Sequence, residues 1–210
     1  MKQTIFLFLL VFCLKSTIAQ IDSIRVTPIG VTEVNFIVTS SPNTTYQRTI
    51  TWVNETYKNP DQVITGKVEG QSINISGYSN NAWYFNQMGR SNFYDMKYQL
   101  YITIADSVIS FRITIDNFYV SSTGGIYYSN VNSFFKNNGE YRPIYNMAKP
   151  SLEATLNTLL FSYYNKINSN SLSSSEAISL LKMYKEKLDL ELITQEEYNT
   201  KKAELVKYIK

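Results

Sequence analysis

The chain lacks histidine altogether, and its single cysteine, Cys13, lies in an apolar segment near the N-terminus. Without histidine the sequence cannot build a serine, histidine and acid triad. No cysteine outside that segment is available as a thiol nucleophile, and one cysteine alone cannot form a thiolate zinc site or an internal disulfide. No glycine-rich phosphate loop or calcium-loop motif replaces them. We therefore expect no cofactor, no metal site and no enzymatic activity, and a fold that its apolar core alone stabilises.

The N-terminal segment has the layout of an export signal. Lys2 precedes a ten-residue apolar run over residues 5–14, and the small residue Ala19 follows with Thr17 two positions before it. A run of this length is too short to span a bilayer, which favours a cleaved signal peptide, residues 1–19, rather than an uncleaved anchor. We expect a periplasmic or secreted protein with no transmembrane segment after cleavage.

The chain that follows the predicted signal is nearly neutral. Removal of Lys2 and Lys15 leaves 18 basic against 17 acidic residues, a net charge of +1 compared with +3 for the whole sequence. Proteins that bind nucleic acids or anionic membranes carry a clear excess of positive charge. We therefore expect no nucleic-acid partner.

Composition divides the remaining chain into three parts. Residues 168–175 are small and polar without periodicity, as in a flexible linker. Residues 20–167 mix strand-like and helix-like patterns, and residues 176–210 carry seven lysines and seven acids in a helical rhythm. The predicted organisation is a larger mixed domain, a linker and a small helical domain.

Two hairpins are predicted in the larger domain. A turn at Asp106 and Ser107 gathers the apolar residues of two strands on one face and the polar residues on the other. The predicted apolar pairs are Ile104 with Ile109, Ile102 with Phe111, Leu100 with Ile113 and Tyr98 with Ile115. The predicted polar pairs are Thr103 with Ser110, Tyr101 with Arg112, Gln99 with Thr114 and Lys97 with Asp116. A second hairpin turns at Gly70 and Gln71, which pairs Val68 with Ile73.

Helical patterns flank these hairpins. The capping-box spacing of Thr44 and Gln47 starts one helix, which ends before Pro60, and a second helix with a leucine stripe covers residues 151–167. The apolar sheet face must be covered, and these two helices are available to cover it. The predicted fold class is α+β, with an antiparallel sheet of about five strands and two helices packed on one face.

The larger domain resembles an uncharacterised exported bacterial domain family with a TATA-binding-protein-like fold. The resemblance covers about residues 31–167 and rests on core pattern. The matching residues are Tyr46, Trp52, residues 63–66, residues 98–102 and residues 111–116. The resemblance implies no catalytic residues.

Residues 180–189, 192–198 and 201–205 resemble the SHOCT, or short C-terminal, domain, over about residues 176–208. That resemblance implies a C-terminal α-helical hairpin with a role in oligomerisation. Glu191 stands where the family pattern has glycine, and a left-handed conformation there would cost about 1 kcal/mol. A hairpin this small rarely folds alone, so we expect it to dock, either on its own domain or on another subunit. Its predicted apolar stripe on the first helix includes Ile178. The predicted assembly surface consists of Leu181, Tyr184, Leu188, Tyr198, Leu205 and Tyr208.

Catalysis by other residue types has little support in the sequence. The spacing S-x-x-K occurs twice, at Ser133 and at Ser179, which is the number that chance gives. Asp95 and Glu140 are left without a structural role, and a carboxylate-dependent hydrolase would need two such groups close together.

Aromatic residues cluster in two segments rich in Asn, Ser and Gly, which we interpret as loops over residues 82–94 and 126–145. Exposed aromatic side chains bind sugars or peptides, whereas buried ones would form a small local core. The polar sheet face is a second candidate surface, or simply a hydrated one. The candidate ligand-binding residues are Trp83, Tyr84, Phe85, Tyr94, Tyr101 and Arg112.

These observations favour a non-enzymatic exported protein in which the C-terminal hairpin mediates oligomerisation or docking with a protein partner. The alternative is a carbohydrate- or peptide-binding module that uses the aromatic segments. A carboxylate-dependent hydrolase is the third hypothesis.

Overall fold

The computed structural model describes residues 21–169 and 174–209. The predicted signal peptide and most of the predicted linker lie outside the described residues. The strands are β1 Val26–Thr27, β2 Gly30–Val31, β3 Val34–Ile37, β4 Ile64–Val68, β5 Ser72–Gln87, β6 Arg90–Ala105, β7 Val108–Val120 and β8 Ile126–Tyr127. The helices are α1 Pro42–Thr56, α2 Pro60–Val63, α3 Ala148–Ile167, α4 Ser174–Asp189 and α5 Gln195–Leu205. Short 3-10 helices cover Val131–Phe134, Pro143–Tyr145 and Val206–Tyr208.

Six of these strands form one antiparallel sheet. Its order is β3-β7-β6-β5-β4, with β8 added to β7, while β1 and β2 pair separately. The prediction of an α+β fold is confirmed, with six strands in the sheet rather than about five.

The predicted register of the central hairpin is confirmed for seven pairs, from Ile104 opposite Ile109 to Tyr98 opposite Ile115. The eighth predicted pair was wrong, because the register shifts after Tyr98 and Lys97 lies opposite Asn117. Asp116 is the extra residue of this β-bulge, and it accepts a hydrogen bond from the Gln99 side chain at 2.8 Å.

The predicted register of the first hairpin was wrong by one residue. Val68 lies opposite Ser72 and Lys67 opposite Ile73, so three residues rather than two form the loop. Gly70 adopts φ +71°, the left-handed conformation that a three-residue hairpin loop requires. A further shift between Ile64 and Gly66 brings Ile64 opposite Ile75.

The predicted helices exist, with earlier starts. Helix α1 begins after Ser41, whose hydroxyl accepts a hydrogen bond from the Thr44 backbone N–H at 3.3 Å, and Pro42 occupies the first turn. The predicted cap at Thr44 was therefore wrong. Helix α3 begins at Ala148, three residues before the predicted start.

Helices α1 and α3 share one core with the apolar face of the sheet. Trp52 donates a hydrogen bond from Nε1 to the Ser162 hydroxyl at 2.9 Å, and the hydroxyls of Thr49 and Tyr163 lie 3.0 Å apart. These contacts join the two helices within the core. The buried residues that the helices contribute include Tyr46, Trp52, Val53, Leu152, Leu156, Leu160 and Tyr163. Those of the strands include Ile73, Ile75, Leu100, Ile102, Ile109, Phe111 and Ile113.

The segment over residues 82–94 is not a loop. It consists of the outer halves of β5 and β6, which meet at a turn around Met88 and Gly89. Asn and Ser have low strand propensity, but cross-strand aromatic pairs stabilise the hairpin despite this composition. The segment over residues 126–145 contains β8 and two of the 3-10 helices.

Side chains near the N-terminus of α3 protect the outer edge of β5. Thr155 donates to the carbonyl of Ala82 at 2.7 Å, and the N–H of Tyr84 donates to the Ser151 hydroxyl at 3.1 Å. Strand edges with unpaired backbone groups otherwise invite pairing with another chain. The helix therefore fixes the position of the outer half of the hairpin as well as covering the core.

Candidate functional site

The C-terminal helix pair, α4 and α5, has a small core of its own. Ala177, Leu180 and Met183 of α4 pack with Leu205 of α5, and Leu181, Tyr184 and Ile209 lie against them. This core is separate from that of the larger domain. Four buried side chains are few for an independent domain, so the pair depends on what it docks against.

The structure places the predicted assembly residues in different environments. Leu205 is buried, Leu181 and Tyr184 are half-buried against the small core, and Leu188 and Tyr198 are also half-buried. Tyr208 is 40% exposed. On α4, Ala177 rather than the predicted Ile178 faces the small core, whereas the predicted Leu181 and Tyr184 lie against it.

The helix pair docks on α1 of its own chain. Lys166 at the end of α3 contacts the carboxylates of Glu55 on α1 and Glu176 on α4, at 2.9 and 3.4 Å. Arg48 of α1 donates to the carbonyl of Ile167 at 2.6 Å, which holds the end of α3 beside this junction. Glu176 is only 1% exposed, so the junction excludes solvent.

The turn between α4 and α5 presents two leucines to solvent. Leu190 is 69% exposed and Leu192 is 68% exposed. We call these two side chains the leucine tip. Ile178, Val206 and Tyr208 of the same segment are 40–49% exposed, so the leucine tip is its most exposed apolar part among the described residues.

Glu191 adopts the left-handed backbone conformation, whose cost the sequence raised but whose occurrence it did not predict, with φ +57°. The N–H of Leu192 donates to the carbonyl of Lys187, and the N–H of Glu191 to that of Leu188, both at 2.9 Å. This is the Schellman arrangement of helix C-termini, in which glycine is the preferred residue.

The alternation of side chains along β5 and β6 separates the predicted ligand-binding residues. Trp83, Phe85 and Tyr94 face the core and are at most 7% exposed. Trp83 stacks on Tyr94 with ring centroids 4.2 Å apart, and Phe134 packs against the edge of this stack. These three residues therefore form a local aromatic core, which was the alternative to an exposed ligand-binding surface in the sequence analysis.

Tyr84, Tyr101 and Arg112 lie instead on the sheet face that α1 and α3 do not cover, which we call the open face. The Arg112 guanidinium lies 4.4 Å from the centre of the Tyr101 ring, a cation–π contact. Tyr84 contacts Phe93 across the strand pair, with ring centroids 5.3 Å apart.

A second aromatic pair on the open face surrounds a carboxylate. Tyr78 and Tyr119 have ring centroids 5.8 Å apart, and Asp95 of β6 lies opposite Tyr119. Asp95 is 8% exposed although no α-helix packs on this face in the described part of the chain. The surrounding aromatic and polar side chains cover it.

Three donors satisfy the Asp95 carboxylate. The Tyr78 hydroxyl donates to Oδ2 and the Asn81 backbone N–H to Oδ1, both at 2.8 Å, and the Ser121 hydroxyl also donates to Oδ1. Burial opposes ionisation, but these hydrogen bonds outweigh it and hold the pKa of Asp95 below its ordinary value. Asn81 sits at the bulge of β5 with φ +49°, which aims its N–H at the carboxylate.

Asp95 therefore has the structural role that sequence reasoning did not find. Its donors come from residues that are 14, 17 and 26 positions away. The sequence held one local signal for the bulge, the asparagine pair at residues 80 and 81. Asparagine tolerates the left-handed conformation that a bulge can require.

The other candidate catalytic groups are engaged elsewhere. Glu140 forms a 2.7 Å ion pair with Lys136, and the Ser133 hydroxyl donates to the carbonyl of Asn130. Within residues 21–169 and 174–209, no group of three or more acidic side chains is placed to hold a metal ion. Among the same residues, no helix has both the length and the apolarity needed to cross a bilayer.

Comparison with protein-family models gives no match, and neither the curated proteins nor the solved structures contain a significant match to this chain. The two family resemblances of the sequence therefore stay predictions.

Replacement of Glu191 by glycine is expected to stabilise the helix pair. Glycine adopts φ +57° without the Cβ penalty, so Glu191→Gly should be more stable than Glu191→Ala by about 1 kcal/mol. Native-state hydrogen exchange of the α4 and α5 amides measures this difference. Equal protection in the two variants would contradict the left-handed turn.

Replacement of Asp95 by asparagine is expected to destabilise the fold at neutral pH by about 1–3 kcal/mol, because the amide cannot accept from all three donors. The folded-state pKa lies below the ordinary value of 3.8. The stabilisation by ionised Asp95 is thus complete above that value and is lost as the pH falls through the folded-state pKa.

Urea unfolding of wild type and Asp95→Asn at pH 7 and at low pH tests this account. The difference in unfolding free energy should shrink as the pH falls. Asp116→Asn is the matched control, because Asp116 is exposed and should show little effect at either pH. If the unfolding free energies of wild type and Asp95→Asn differ by the same amount at both pH values, the proposed role of ionised Asp95 is contradicted.

Proposed function

We propose that the chain is a non-enzymatic exported module for binding and assembly. In this proposal residues 31–167 form a TATA-binding-protein-like domain, and α4 and α5 form a SHOCT-like hairpin that mediates oligomerisation or docking with a protein partner. In the same proposal, the predicted export signal over residues 1–19 directs the protein to the periplasm or out of the cell.

The observation that carries the proposal is the two-sided character of the helix pair. One side is occupied, because α4 packs on α1 and Lys166 ties the junction to Glu55 and Glu176. The leucine tip points away from the small core and is exposed. A helix pair already docked in its own chain is thus left with an apolar end for a second contact.

The chemistry of the tip sets the kind of interface. Two leucines and the neighbouring turn offer a small apolar patch, far below the area of an obligate dimer. Burial of such a patch supports a weak, reversible contact at most. The proposed assembly is therefore dependent on protein concentration.

The side chains considered for catalysis support the non-enzymatic part of the proposal. Asp95 accepts three hydrogen bonds that fix the bulge and the end of β7, and Glu140 neutralises Lys136. Both carboxylates have structural partners that account for their positions.

Serine at both positions of the leucine tip tests the proposal. We expect wild type to show a mass that rises with concentration in light scattering, and the Leu190→Ser, Leu192→Ser double variant to remain monomeric, because it lacks the exposed apolar patch. Both side chains are mostly exposed, so the melting temperature should change little.

Ile29→Ser is the matched control, since Ile29 is 95% exposed on the larger domain. It should associate like wild type. Wild type that stays monomeric at every concentration, alone and with envelope proteins, would sink the assembly proposal.

A further inference from the structure

The open face carries a cleft beside the Asp95 network. The cleft has a volume of about 350 Å³, within the range of small-ligand sites. Its lining includes Asn81, Ser91, Asn92, Phe93, Ser121 and Ser122. Tyr94 and Val120 complete the lining, so all of its residues are neutral and it combines polar residues with aromatic and apolar ones.

Phe93 gives the cleft an apolar wall. Its side chain is 45% exposed, and it rests on Tyr84 with ring centroids 5.3 Å apart. The contact with Tyr84 holds the ring in place, so binding to it loses little side-chain entropy. A partly exposed, supported aromatic ring is suited to stacking against a flat apolar surface.

Asp95 orients the polar wall. The Ser121 hydroxyl has one proton, which it donates to Asp95, so its lone pairs are left to accept from a ligand hydroxyl. A hydrogen bond to an ionised carboxylate also polarises the hydroxyl, because linked hydrogen bonds strengthen one another. Asn81 is held at the same carboxylate through its backbone, which leaves its exposed side-chain amide to donate and accept.

The charge of the site excludes several classes of ligand. A carboxylate lies directly behind a cleft with neutral lining, so a phosphate or another anion would be repelled. The aromatic pairs Tyr84 with Phe93 and Tyr78 with Tyr119 are each in contact, with no gap for an ammonium group between the rings. They form flat surfaces rather than a cage.

We propose that this cleft binds a neutral saccharide, with one sugar ring stacked on Phe93 and its hydroxyls hydrogen-bonded to Ser121, Ser122 and Asn81. A pyranose ring has an apolar C–H face and a rim of hydroxyls that both donate and accept. That combination matches one aromatic wall beside amide and hydroxyl groups. The site is separate from the leucine tip, so it stands or falls independently of the assembly proposal.

NMR titration of the full chain tests the site. The probes are cellohexaose, maltohexaose and chitohexaose, each followed through the backbone amides of Asn81, Phe93, Ser121 and Ser122. We expect at least one oligosaccharide to shift these amides in a saturable way. Phe93→Ala should weaken that binding about tenfold, as expected for loss of an aromatic contact.

Tyr128→Ala is the matched control, because Tyr128 is 93% exposed and lies outside the cleft. It should bind like wild type. Ser122→Ala serves as a second variant if the Phe93→Ala spectrum shows a loss of folding, because Ser122 is exposed and lines the cleft. Failure of all three oligosaccharides to shift these amides would overturn the proposal. So would equal affinity of the Phe93→Ala and wild-type proteins, or shifts caused by tetramethylammonium or an extended peptide in place of the sugars.

Discussion

The alternation of side chains along β5, β6 and β7 is the constraint on which the rest of the structure depends. Successive residues of a strand point to opposite faces, so one register decides which aromatic residues enter the core and which meet solvent. The seven predicted pairs of β6 and β7 bring the isoleucines under α1 and α3. The same register sends Tyr101 and Arg112 to the open face.

Two bulges interrupt this alternation, one in the pairing of β6 with β7 and one in the pairing of β5 with β6. The bulge at Asp116 shifts the register of β6 and β7, and the irregularity between Ser79 and Trp83 shifts that of β5 and β6. Beyond both bulges, Trp83 and Tyr94 still stack inside, while Tyr84 and Phe93 meet outside. Asp95 links the bulge of β5 to the end of β7, so one carboxylate stabilises the outer half of the sheet and shapes the cleft.

Patterns confined to neighbouring residues allowed much of the fold to be predicted. The register of β6 and β7 was predicted correctly over residues 98–115, because only one pairing of the two strands puts the apolar residues on one face and the polar residues on the other. The turn at Gly70 was predicted, but its loop length was wrong by one residue because glycine suits two-residue and three-residue loops alike. The outer strands were missed because their Asn and Ser content resembles that of loops.

Features that depend on distant residues were beyond prediction. The role of Asp95 requires donors from three separate segments. The seating of α4 on α1 depends on Lys166 reaching two carboxylates, one on each helix. Glu191 is an intermediate case: the two helices on either side of the turn were predicted from local patterns, but the sequence left the conformation of the turn itself open, and the structure gives φ +57°.

Hydroxyl-radical footprinting with mass spectrometry tests the alternation most directly, because it reports the solvent exposure of individual aromatic side chains. In the folded protein we predict oxidation of Phe93 and Tyr78 and protection of Trp83 and Tyr94, with all four oxidised after unfolding in urea. Tryptophan is intrinsically the more reactive of these side chains, so its protection would be meaningful. Oxidation of folded Trp83 as fast as that of Phe93 would show that the two faces of the sheet are not divided as described.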